Sequence, residues 1–369
     1  MMQSRGAVLK SFGAPLEIES FDVPDPEPGA LLVQVAYGGI CGTDVHLQAG
    51  HLPMPTPVIL GHEAVGTVAA LGREVTEDAL GAPLAEGDRV TWASSIACGR
   101  CFYCRQERQP TLCENRRVYG ISRSSDRWPH LFGSWGDLQY LEAGSTVVRL
   151  PDDVSMEAAI ALGCAGPTVV HGLLGIAKPG VGDTVVVQGC GPVGLAAGMF
   201  ARLSGAGRIV MVGGPPGRLE LARSLGVADA YVDIFDITDP STRVGVVTDQ
   251  TPGSRGADIV VEATGVPSAV AEGLEMCRPN GTYLVLGQYT DHGPTPLNPH
   301  LITRKQLRVL GSWALSGADV VDFVVSLPQL SERFDLARLV SPYPLEAVND
   351  ALGAVQAGRV TKAVLTPAL

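Results

Sequence analysis

Four cysteines, Cys98, Cys101, Cys104 and Cys113, stand as C-x2-C-x2-C-x8-C in one short segment. Two-residue spacings let a single loop wrap a tetrahedral ion, and four thiolates close its coordination shell. The set reads as a zinc site rather than an iron–sulfur cluster. With no position left open its role is structural: to hold the lobe 96–117, which has little apolar content of its own. A second grouping is dispersed: Cys41-Gly42-Thr43-Asp44-Val45-His46, Gly61-His62-Glu63 and Gly163-Cys164-Ala165. Spacing alone does not unite it, since a lone cysteine is most often a small buried hydrophobe. A third is glycine-rich, Gly189-Cys190-Gly191-Pro192-Val193-Gly194, directly after the apolar run 184–188. Between a strand and a helix, G-x-G-x-x-G permits a tight turn and lets a pyrophosphate approach the positive end of the helix. Pro192 suits the first helical turn, where no backbone donor is required. Cys190 and Cys277 read as buried thiols.

The elements that must carry these groups follow from length and rhythm. A chain of 369 residues with 46% hydrophobic and 18% charged residues has the composition of a globular protein and the length of two domains. From residue 7 to about 150, short alternating runs such as 31–35 and 65–68 lie between Pro and Gly clusters and predict a β-rich domain. From about 181 to 312, β-type runs at 184–187, 208–212, 258–261, 282–286 and 307–310 alternate with helical stretches such as 218–225 and 268–276. That is the rhythm of βαβ units and a parallel sheet. Helices are expected at 318–326 and 345–357, then a last strand near 362–365 that rejoins the first domain. The net charge of −11, from 27 basic and 38 acidic residues, comes with no Lys/Arg cluster, so nucleic acid is excluded as a partner. The first ten residues lack a signal-peptide pattern, which points to the cytoplasm. The apolar stretches 158–177 and 184–203 are broken by Gly, Pro, His171 and Gln188 and read as buried elements, not membrane spans.

Taken together, Cys41-Gly-Thr-Asp-x-His46, Gly61-His62-Glu63-Ala-x-Gly66, the four-cysteine lobe and the later glycine-rich turn resemble, in order, the zinc-containing alcohol dehydrogenases of the medium-chain dehydrogenase/reductase family. Gly87-Asp88-Arg89-Val90, Phe132-Gly133-Ser134-Trp135-Gly136-Asp137 and Arg255-Gly256-Ala257-Asp258 extend the resemblance over nearly the whole chain. It implies an α/β architecture: a β-rich GroES-like catalytic domain over 1–165, a doubly wound Rossmann sheet over 166–315, and a segment 316–369 returning to the catalytic domain. It also implies two zinc ions per subunit, one structural and one catalytic, the latter held by Cys41, His62 and Cys164 with Glu63 as an alternating ligand. Two thiolates and a neutral imidazole leave such a complex formally neutral, with a place for an alcohol whose pKa is lowered. Asp44 would orient the imidazole. Thr43 would receive the alcohol proton and His46 pass it to solvent through the cofactor ribose, with His51 a competing candidate that reads more simply as an exposed loop residue.

For the nucleotide, the resemblance points to Gly189, Gly191, Pro192, Val193 and Gly194 at the pyrophosphate and Gly287 at the nicotinamide carboxamide. It also implies that Lys362 meets the pyrophosphate. The carboxylate expected about 20 positions after the fingerprint is missing, because strand 208–212 runs into Gly213-Gly214-Pro215-Pro216-Gly217-Arg218. NAD and NADP both stay open, with Arg218 or Arg223 available to a 2′-phosphate. Ser94, Trp128, Trp135 and Trp313 either line a substrate pocket or fill the core. The implied activity is reversible oxidation of a primary, secondary or cyclic alcohol. A carbonyl reductase working mainly in reverse and a non-catalytic nucleotide-binding sensor are the alternatives. The partners are a small-molecule alcohol or carbonyl compound and further copies of the chain, as a homodimer or homotetramer.

Overall fold

The run Leu31-Leu32-Val33-Gln34-Val35 belongs to a ten-residue strand, Leu31–Ile40, the spine of a mostly antiparallel sheet in the computed structural model, which describes residues 2–367. Along one side it pairs with Ala64–Leu71. Along the other, its first residues take Leu138–Leu141 and its last take Lys362–Thr366. This register places two charged residues. Gly38 opposite Ala64 brings Glu63 beside Gly39, and Ala363 opposite Ile40 brings Lys362 to the doorstep of Cys41. Segments 299 residues apart thus meet because both flank the spine strand in one sheet. Beneath it, Ile40, Leu47, Leu60, Trp135, Leu345 and Val348 form an apolar cluster that seats the helices Gly42–Gln48 and Val348–Gln356. This compact unit comprises the residues up to Cys164 and those from Leu315 onward.

The second unit, Ala165–Ala314, is built on a six-stranded parallel sheet. From edge to edge its strands are Ala230–Asp233, Arg208–Gly213, Thr184–Gln188, Ala257–Glu262, Cys277–Val285 and Arg308–Gly311. Numbered along the chain that order is 3-2-1-4-5-6, the doubly wound arrangement of dinucleotide-binding sheets. Its first strand, Thr-Val-Val-Val-Gln, is buried at every residue, as a strand covered on both faces must be. The helices Pro192–Leu203, Pro216–Ser224, Pro240–Asp249 and Pro267–Met276 each begin with proline at a position where a helix has no use for an N–H.

The structure also departs from the periodicity. Ala230–Asp233 escapes it because a half-buried four-residue edge strand carries no apolar run. Pro240–Asp249 escapes because PSTRVGVVTD is poor in helix formers and is started instead by Asp239, whose carboxylate accepts the Thr242 N–H. The helix expected at 318–326 continues as Gly317–Arg333, through Pro328. The stretch 158–177 is divided among the helical segments Met156–Ala161, Ala165–Val169 and Val170–Ala177, and 184–203 is a strand, the glycine turn and a helix. Among the described residues no helix is long and apolar enough to cross a membrane.

Candidate functional site

Cys41 directly follows the long strand and caps the helix Gly42–Gln48. Asp44, in the first turn and fully buried, spends one carboxylate oxygen on the Cys41 N–H at 2.8 Å and turns the other to His62 Nδ1 at 3.1 Å. One side chain thereby fixes both neighbours: with Nδ1–H donated to Asp44, Nε2 of His62 is left with its lone pair. Cys164 completes the group, its Sγ 3.4 Å from that of Cys41, and the donor atoms of Cys41, His62 and Cys164 all lie within 4.8 Å of one another. Two sulfurs on a tetrahedral zinc, with Zn–S bonds of about 2.3 Å, stand about 3.8 Å apart, so the spacing fits. The donor set agrees. The hydrogen bond from the Cys164 thiol holds Cys41 well below the ordinary thiol range, and the same bond together with burial pushes Cys164 well above it. Burial alone would favour neutral His62, but Asp44 and Cys41 outweigh it and raise the imidazole. A divalent cation supplies the positive charge that lets both sulfurs ionise and the imidazole stay neutral.

Glu63 faces this group from the next residue. One carboxylate oxygen accepts the Cys164 N–H at 2.5 Å and the other is ion-paired with Lys362. Both side chains are about 3% exposed. A Cβ at Gly163 would fall 2.1 Å from Glu63 Oε2, and one at Gly39 within 2.7 Å of its other oxygen, so the carboxylate rests between two glycines. Sequence reasoning missed that pair, for which Gly39 before Ile40-Cys41 and Gly163 before Cys164 were the available signal. Lys362, expected at a pyrophosphate, ends on Glu63 in the buried strand Lys362–Thr366, where the sheet register leads it. With both oxygens engaged, Glu63 stands outside the three-residue donor group. Thr43 Oγ1 lies 3.7 Å from Cys41 Sγ, and His46 and His51 meet through their Nδ1 atoms at 3.1 Å. Trp135 is fully buried with its indole N–H on the Gly39 carbonyl, a core residue; Trp128 is exposed, and Trp313 stacks on Tyr289 at 4.7 Å.

In the four-cysteine lobe, Cys98, Cys101, Cys104 and Cys113 bring their sulfurs within 4.8 Å of one another. The loop is closed at its base by Ser95–Ile96 pairing with Arg117–Val118. Backbone N–H groups of Arg100 and Cys101 lower the Cys98 thiol to about 6, and the Cys98 N–H donates to Cys113 Sγ at 3.2 Å. Phe102 and Leu112 point outward, so the lobe has no core to replace an ion.

In the second unit, Gly189 turns the chain at φ +110° and Gly191 caps the helix that Pro192 and Val193 begin. A Cβ at Gly194 would lie 2.1 Å from the Gly189 carbonyl, whereas one at Gly191 would meet open space. Where an acidic residue was expected, Gly213 abuts the Cys190 sulfur. Arg223 is taken by Glu220 at 2.9 Å and by the Tyr231 ring, while Arg218 has a buried Nε with no partner. Buried Glu262, not anticipated, accepts the N–H groups of Thr264, Gly265 and Gly287 and so fixes the turns at two strand ends. Next to Gly287, the Gln288 amide nitrogen is buried and unpartnered. Open space over Gly191 and orphaned donors on Arg218 and Gln288 suit a ligand rich in phosphate and carbonyl oxygens.

Comparison with known proteins bears on the same segments. A family model described as zinc-binding dehydrogenase matches residues 192–327, and one described as alcohol dehydrogenase GroES-like domain matches 27–152. The 5-exo-hydroxycamphor dehydrogenase of Pseudomonas putida is 37% identical over 373 aligned positions, covering 100% of both chains. An alcohol dehydrogenase from Thermotoga maritima superposes with a TM-score of 0.94 at 32% identity, over 100% of both chains. A solved chain from Sinorhizobium meliloti, bound to NADP, reaches 0.84 at 28% identity, again over 100% of each.

Proposed function

The chain belongs to the zinc-containing alcohol dehydrogenases of the medium-chain dehydrogenase/reductase family, and from that premise we propose that it oxidises a bulky or cyclic alcohol reversibly, at Cys41, His62 and Cys164. It is a zinc-dependent, NAD(P)-linked oxidoreductase acting on CH–OH donors, with a GroES-like catalytic domain and a Rossmann sheet. The observation that carries the site is the convergence of two thiols and one imidazole, all held by Asp44 and the Glu63 carboxylate. The chemistry a bound zinc supplies is Lewis acidity toward the alcohol oxygen, and that of nicotinamide is acceptance of a hydride. The chain's own part is positional. Asp44 keeps Nε2 of His62 free for the metal, Thr43 takes the hydroxyl proton beside Cys41, and His46 carries it outward. The Glu63–Lys362 pair adds no net charge next to the donor group and leaves the metal's charge to the two thiolates.

The camphor-alcohol relative, aligned over its whole length, supports a cyclic secondary alcohol as substrate. The absent carboxylate at Gly213 and the unpartnered Nε of Arg218 favour NADP of the two nucleotides, in line with the nucleotide on the Sinorhizobium chain. The edge strand Arg308–Gly311, with Val309 exposed, supports association of copies into a dimer or tetramer. Thiols that ligate metal need a reducing compartment, which supports the cytoplasm. The test is a panel of primary, secondary, monocyclic and bicyclic alcohols with NAD and with NADP, read by absorbance of the reduced nicotinamide. Turnover concentrated on cyclic secondary alcohols is expected. Zinc-replete protein that binds nucleotide and oxidises none of them would overturn the reading.

A further inference from the structure

His51 lies outside the donor group, yet the chain is built to bring it to His46. The helix Gly42–Gln48 ends with His46 in its last turn. Beyond it Gly50 takes φ +81°, a left-handed conformation in which a Cβ would also press on the Phe12 ring at 3.0 Å. The reversal lets the His51 N–H reach back to the His46 carbonyl at 2.9 Å. It also lays the two imidazoles against each other, with centroids 5.4 Å apart and Nδ1 facing Nδ1 at 3.1 Å. Both backbone and side chain therefore tie residue 51 to residue 46. Two neutral imidazoles joined through Nδ1 share one proton: one ring donates, the other accepts, and the Nε2 atoms face away from the shared bond.

We propose that His51 is the outlet of the proton path, taking from His46 the proton released by alcohol oxidation and delivering it to water. In the donating state His46 carries its proton on Nδ1 and none on Nε2. A proton arriving at Nε2 makes His46 an imidazolium, its Nδ1–H bond breaks as the proton passes to Nδ1 of His51, and His51 gives its own Nε2 proton to solvent. One proton enters and one leaves, with no change in redox state. Exchange of ring protons with water restores the starting tautomers, for which exposed His51 is well placed. The step rests on the assignment of His46 to the proton path, and substitutions at 46 and 51 separate the two.

The experiment uses the full-length zinc-replete enzyme and compares His51→Gln, His51→Phe and His46→Gln in single-turnover bursts of reduced nicotinamide, across a series of imidazole buffer concentrations. Gln can still hydrogen-bond to His46 but cannot relay a proton, so a purely structural role for His51 predicts an intact burst in His51→Gln. The proposal predicts slowing of about tenfold, below the roughly 10²–10⁴-fold typical of a general base, with recovery as imidazole is raised. Nitrogen-15 spectra of histidine-labelled protein give a readout that does not depend on turnover: one protonated and one unprotonated Nδ1 in the pair, with the His46 signals moved in His51→Phe. A wild-type burst in both His51 variants with His46→Gln slowed overturns the outlet and leaves the His46 assignment standing. A wild-type burst in His46→Gln overturns both. Spectra in which His51→Phe leaves the His46 nitrogens unmoved overturn the outlet irrespective of rate.

Discussion

Glu63 and Lys362 show how much one residue can depend on another it could not be matched with from sequence. Both are buried and each is the other's counter-charge, so removing one leaves an ion in a low-dielectric interior. Lys362→Met is expected to cost about 3–5 kcal/mol in urea unfolding, and adding Glu63→Gln to it to recover much of that loss. The pair was illegible beforehand because no local pattern links residues 299 apart; only the register of two strands does. Cys41, His62 and Cys164, by contrast, were legible as candidates, though only through the family resemblance their short strings carry, since spacing alone does not unite them. Arg218 was legible as a cation, but that its buried Nε has no hydrogen-bond partner while Arg223 is held by two groups was not. Arg218→Ala should weaken NADPH binding by about tenfold in a fluorescence titration and leave NADH nearly unchanged, as loss of one charge-assisted contact worth about 1.5 kcal/mol requires.

At the scale of elements, what could be read was whatever repeats: the β–α alternation of the second unit, and the glycine turn between its first strand and helix. Elements shaped by a neighbour rather than by their own pattern were missed, the short edge strand Ala230–Asp233 above all. One such dependence has a pH signature. The Tyr37 hydroxyl, on the spine strand, donates to Glu157 of the helix Met156–Ala161 at 2.5 Å and holds that carboxyl below its usual range. A carboxyl depressed in the folded state contributes stability at pH above its ordinary value near 4.5 and loses it as pH falls through the folded value. Tyr37→Phe should therefore lower the urea midpoint at pH 6 and flatten its decline below pH 4.5. The four-cysteine lobe is the opposite case, an element written almost wholly in its own spacing. Cys104→Ser should leave the rest of the fold intact but expose 98–116 to trypsin, with cleavage at its arginines mapped by mass spectrometry.

For the molecule as a whole, the two clusters of ligating side chains among the described residues predict two zinc ions per chain, and the difference between them is measurable. Cys164→Ser should reduce the zinc content found by elemental analysis from two to one per subunit, abolish turnover, and leave the melting temperature within a few degrees. A variant that still holds two ions would contradict the assignment. The sheet that orders the catalytic ligands has a further consequence. Its strand Lys362–Thr366 lies between the spine strand and Val340–Pro344, and is the last of them to be made. On the ribosome, every sulfur and imidazole of both clusters has been synthesised long before the ammonium that neutralises Glu63 emerges. Until it does, that carboxylate stands uncompensated beside the thiols, a rival oxygen donor for any ion that enters. Assembly of the active centre is thereby tied to a strand made after all of its ligands, whereas the outer lobe carries everything it needs within its own short segment.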